Sequence, residues 1–163
     1  MNAAPLRLVR PRRTALLLAL IALAVGLIVV ADPAARPAHA AACTAGTGVT
    51  VKVDFAALGG GVITNCFLGD PATGLAALQG AGFTVTGTAR WGLAFVCRIN
   101  GKPTAAMDPC VNTPPASAFW SYWHGTPGGT WTLSSLGASS YNPAIGTVDG
   151  WAFGAGAPPS VGP

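Results

Sequence analysis

Apolar Val49, Val51, Val53 and Phe55 alternate with polar Thr50, Lys52 and Asp54. A period of two lines one face of a strand with apolar side chains and the other with polar ones, so this run predicts a strand with one face on a core. Gly59-Gly60-Gly61 supplies a turn, and Val62 to Cys66 returns as a second strand. The period then changes: Leu75 and Leu78 stand three apart, after Asp70-Pro71 and Thr73 and before Gly80 and Gly82. With those start and stop residues the spacing predicts one short helix. Alternation resumes from Phe83 to Thr88 and through Leu93, Phe95, Cys97 and Ile99, up to an Asn100-Gly101 turn. Met107 to Pro115, dense in proline, is loop. Ala118 to His124, Thr130 to Ser135 and Gly150 to Phe153 complete the strands. The fold class expected is α+β, mostly β: a small antiparallel-sheet domain with one short helix.

The first forty residues follow a different pattern. Arg7, Arg10, Arg12 and Arg13 precede an apolar run from Ala15 to Val30, and small residues around Ala38-His39-Ala40 follow it. That order is the one of a cleavable signal peptide, and the run is shorter than the roughly twenty apolar residues that span a bilayer. Residues 1–40 are therefore assigned to export, 41–153 to one β domain and 154–163, which lacks hydrophobic anchors, to a flexible Gly/Pro-rich tail. A secreted, extracellular product with no membrane span after cleavage is expected, with the cell surface as a further site.

Charge changes meaning once that segment is set aside. The whole chain carries a formal +4, but residues 41–163 hold four basic side chains (Lys52, Arg90, Arg98, Lys102) against four aspartates (Asp54, Asp70, Asp108, Asp149). A neutral product gives no basic surface for nucleic acid or anionic lipid. All four cysteines, Cys43, Cys66, Cys97 and Cys110, follow the export segment, so an oxidising milieu implies two disulfides. Three pairings can be drawn; locality favours Cys43 with Cys66 and Cys97 with Cys110, each closure contributing about 3 kcal/mol. Zinc is disfavoured, because no Cys-x-x-Cys occurs and His124 is the single histidine after residue 40.

Glutamate is absent, and Asp70-Pro71, Asp108-Pro109 and Asp149-Gly150 are turn contexts. A His124–Asp149–serine triad can be imagined, but no Gly-x-Ser-x-Gly elbow supports it, so no catalytic residue is assigned and the chain is read as a non-enzyme. Aromatic density is the informative feature. Phe119-Trp120-Ser121-Tyr122-Trp123-His124 form one predicted strand, with Trp91, Trp131, Tyr141, Trp151 and Phe153 in the flanking segments. Alternation puts Trp120, Tyr122 and His124 on one face and Phe119, Ser121 and Trp123 on the other. Either both faces are covered, one by core and one by a loop, or one is an exposed platform for a planar or sugar-like ligand. Trp120, Tyr122, Trp123, His124 and Trp151 are the ligand-binding candidates, with no metal among them.

The segments Thr73–Phe83 (TGLAALQGAGF), Trp91–Gly101 (WGLAFVCRING), Phe119–Gly125 (FWSYWHG) and Asp149–Phe153 (DGWAF) stand in an order that resembles the transcobalamin-like C-terminal β domain. The resemblance covers Val49 to Phe153 and is closest to small secreted actinobacterial members. In intrinsic factor and transcobalamin this domain closes over cobalamin. The resemblance implies cobalamin as a ligand rather than a covalent cofactor. It implies as partners a helical cobalamin-binding or squalene-cyclase-like repeat protein and a vitamin-type transporter. The vitamin carriers hold most of the corrin in a helical domain that this chain lacks, so half a site completed by a partner is implied. Two functions from different classes are carried forward: a ligand-binding module that captures cobalamin or a related cofactor with a partner, and an extracellular surface interaction module that binds glycan or protein through exposed aromatics.

Overall fold

The computed structural model describes residues 41–163; the export assignment for 1–40 lies outside the described residues. The alternating run forms β1 (Gly48–Asp54), and the chain returns after the glycine turn as β2 (Val62–Leu68). The pair is antiparallel, with Val51 opposite Asn65. Val49, Val51 and Val53 have no exposed surface and share a core with Phe55, Leu78, Ile99, Trp120 and Trp151. The helical spacing becomes α1 (Gly74–Gly80), whose N-cap Thr73 accepts a hydrogen bond from the Ala76 N–H at 3.0 Å. It buries Ala77 and Leu78 against the sheet.

Two strands, β3 (Val85–Thr88) and β4 (Gly92–Ile99), make a separate antiparallel ribbon. Asn100 and Gly101 take positive φ of 50° and 73°, and Ile99 and Lys102 exchange both backbone hydrogen bonds across them. This is the two-residue turn that the Asn-Gly pair predicts. Next come β5 (Phe119–Gly125), β6 (Thr132–Leu133) and β7 (Val148–Gly154). They join β1 and β2 in one sheet of order β2-β1-β7-β5-β6. All pairs are antiparallel except β1 with β7, which run parallel with Val53 beside Trp151. Thus α+β, mostly β, describes the domain, and both local disulfides form: Cys43–Cys66 and Cys97–Cys110. Among the described residues no helix is long and apolar enough to cross a membrane.

Residues 154–163 depart from the flexible reading. Lys52 Nζ donates to the Gly162 carbonyl at 2.6 Å, the Ser160 N–H to Asp54 Oδ2 at 2.7 Å, and Trp131 Nε1 to the Val161 carbonyl at 2.7 Å. Pro159 is buried. The sheet face beneath carries Ser121, Gly150 and Ala152, and a Cβ built on Gly150 would stand 2.6 Å from the Trp131 ring and 3.0 Å from Pro159. Small side chains leave a trough there, and a segment without large apolar groups fills it with proline rings and backbone carbonyls. Composition alone registers the missing anchors, not the trough.

Candidate functional site

Strand β6 has two residues, so it pairs with β5 only at Trp123 and His124. The edge of β5 from Phe119 to Ser121 is left without a strand partner on that side. Across from it, β4 pairs with β3 alone. Between these two unpaired edges lies an open groove of about 360 Å³. Its floor is Trp120, Tyr122 and Trp151; one wall is Leu93 to Val96 and the other Leu133 to Ala138. The second wall is hung from β5 by the Ser134 N–H, which donates to the Tyr122 carbonyl at 2.9 Å. Leu93, Leu133 and Leu136 are 39%, 53% and 52% exposed, so the rim as well as the floor is apolar. Trp120 Nε1 donates to the Lys102 carbonyl at 3.1 Å, whereas Trp151 Nε1 is buried without an acceptor.

Beneath the floor is a buried polar pair. The Tyr122 hydroxyl donates to Asp149 Oδ2 at 2.9 Å, and Oδ1 of the same carboxyl has no partner. Asp149 is wholly buried, and burial pushes its carboxyl up to about 7, although the Tyr122 hydrogen bond pulls the other way. Burial first, and the Asp149 charge second, push the Tyr122 phenol up, and the same two causes raise Tyr141. Space is tight: a Cβ on Gly74 would stand 2.2 Å from the Tyr122 hydroxyl, so the start of α1 closes over this pair only as glycine.

Of the five candidates, Trp120, Tyr122 and Trp151 meet at the groove floor. Trp123 does not: it is 8% exposed, lies on the opposite sheet face, and its Nε1 donates to Ser121 Oγ at 2.9 Å. His124 stands beyond Tyr141 in a second, polar cavity. Its ring stacks on Tyr141 with centroids 4.4 Å apart and planes 5° apart, while Asp149 serves Tyr122, so the imagined triad is not what these residues build. A flat exposed platform of β5 aromatics is likewise not formed, because Trp120, Tyr122, Trp123 and Trp151 are each at most 8% exposed. Both faces of β5 are covered, one by the core and one by the C-terminal segment. Trp91 is the exposed indole, at 51%, with Arg90 4.9 Å over its ring and Nε1 bonded to Thr113 Oγ1.

Cys97, Asp108 and Cys110 cluster closely enough for a metal, but both sulfurs are spent in the disulfide and Asp108 Oδ1 accepts from the Cys110 N–H. The rim leucines were missed in the sequence; Leu136 sits in a Ser-Ser-Leu-Gly stretch that reads as turn, and an isolated apolar residue in a turn is the signal that marks it. No protein-family model matches this chain, and neither curated proteins nor solved structures give a match.

Proposed function

We propose that this chain is an exported, non-catalytic binding module that takes one edge of a planar, largely apolar ligand in the groove between β4 and β5. The observation that carries the proposal is the lining. The groove holds leucine, alanine, valine, aromatic and serine side chains, with no Asp, Glu, His, Lys or Arg. Tyr122, the one titratable group, has its hydroxyl committed to Asp149. Such a surface suits burial of apolar area and sets no free acid or base against a ligand, Asp149 being buried beneath the floor.

The polar groups that are present favour a ligand fringed with hydrogen-bonding groups. Unpaired edges of β4 and β5 offer backbone N–H and C=O groups, and Ser134 and Ser135 add hydroxyls to the lining. A corrinoid, an apolar macrocycle edged with amides, has that chemistry, and it is the ligand the sequence resemblance implies. About 360 Å³ is at the low end of small-molecule sites, so a macrocycle enters in part and a partner covers the rest. A helical repeat protein is the partner that the same resemblance implies.

The test mixes the full chain with cyanocobalamin, with and without that helical partner, and passes each mixture over a desalting column. The mixture with both proteins should retain colour, and Leu93→Asp or Leu136→Asp should abolish retention by placing charge on the rim. No retention in any mixture contradicts the corrinoid assignment. Retention that survives both substitutions removes the ligand from the groove.

A further inference from the structure

The second cavity lies at the far end of β5 and shares no lining residue with the groove. Its volume is about 450 Å³, and it is lined by the stacked His124 and Tyr141 rings, the threonines at 126, 130, 132 and 147, and the backbone of Gly125 and Gly129. We infer that this cavity is a binding site for a neutral saccharide.

Three observations select that class. No lysine, arginine, aspartate or glutamate lines the cavity, so an anion or cation would enter without a counter-charge. Hydroxyls are abundant: Thr147 Oγ1 donates to the Ala144 carbonyl, while those of Thr126, Thr130 and Thr132 make no hydrogen bond among the described residues. Each hydroxyl donates once and accepts twice, which matches the mixed donor and acceptor character of sugar hydroxyls. The third is the ring pair. His124 and Tyr141 are half-buried, and Tyr141 also meets Tyr122 edge-on at 5.8 Å. The stack is thus held from behind and presents a rigid apolar surface to the C–H face of a pyranose at little entropic cost.

Of the aromatic candidates read from the sequence, His124 alone lines this cavity, and Tyr141, which is not among them, joins it there. The site is independent of the groove, so either can fail without the other.

The test is a two-dimensional NMR titration of the full chain with chitotriose, cellotriose and maltotriose, each into the millimolar range. At least one should shift the resonances of His124, Thr130, Thr132 and Tyr141 and leave Leu93 and Leu136 unmoved. Thr130→Val and Thr132→Val, both exposed positions that keep the fold, should each weaken binding several-fold. Tyr141→Ala should weaken it about 10-fold or more, with near-ultraviolet dichroism to check the core. Absence of shifts with all three sugars overturns the inference, as do shifts centred on the groove or binding that both threonine variants leave unchanged.

Discussion

At the residue scale the distinctive feature is a carboxyl that the fold prefers neutral. Asp149 is wholly buried with its pKa raised from 3.8 to about 7, so between those values the folded chain binds a proton that the unfolded chain has lost. Its contribution is therefore complete below 3.8 and is lost as pH rises toward 7, on the order of 4 kcal/mol across the window. Asp54 behaves oppositely. Burial pushes it up, but hydrogen bonds from Ser160 and Ala56 together outweigh that and hold it below 3.8, so its share is complete above 3.8 and is lost as pH falls from there through the lower folded value. Urea denaturation should accordingly show greater stability at pH 4 to 5 than at pH 7 to 8, and Asp149→Asn should flatten that difference; an unchanged slope would refute the assignment to Asp149. Gly74→Ala, whose methyl would meet the Tyr122 hydroxyl at 2.2 Å, should cost about 1–3 kcal/mol in the same assay. Neither effect is legible in the sequence, because Asp149-Gly150 reads as a turn pair until β7 is known to run through it.

At the scale of elements, legibility follows sequence distance. Val49 to Phe55, the Thr73 cap and the Asn100-Gly101 turn declare themselves locally, through side-chain period, a hydroxyl one residue before the helix and a pair tolerant of positive φ. The parallel pairing of β1 with β7 does not, since its partners lie some hundred residues apart and nothing in either strand encodes the other. Strand β6 is shorter than the pattern from Thr130 to Ser135 suggests, because from Ser134 onward the chain hydrogen-bonds to Tyr122 and turns away as the groove wall. The same limit hid the role of the C-terminal segment. Ending the chain after Gly154 should expose Trp123 and Trp131, shift tryptophan emission to the red and cost on the order of 2 kcal/mol or more; unchanged emission would show that the strap covers neither ring. In the ribbon, Cys97→Ser with Cys110→Ser should cost about 2–4 kcal/mol and increase amide exchange in residues 104–115, where Arg98 otherwise bonds the Pro103 and Asp108 carbonyls.

At the scale of the whole molecule, two layers fail to close into one. The five-stranded sheet ends at a two-residue strand and the ribbon ends at β4, so the seam between them stays open. Of the candidate tryptophans, Trp120 and Trp151 lie at the seam's floor and Trp123 on the opposite face, and their burial makes the first two the base of a groove rather than a displayed surface. Alternation gives the two faces of a strand; only the packing of distant elements decides what lies over each. The measurement that bears most directly on the groove is hydrogen–deuterium exchange of the full chain mixed with the proposed helical repeat protein, with and without cyanocobalamin. Binding in the seam predicts that the cobalamin slows exchange in residues 93–96 and 133–138. Equal exchange there in the two samples, or protection confined to other segments, would contradict it.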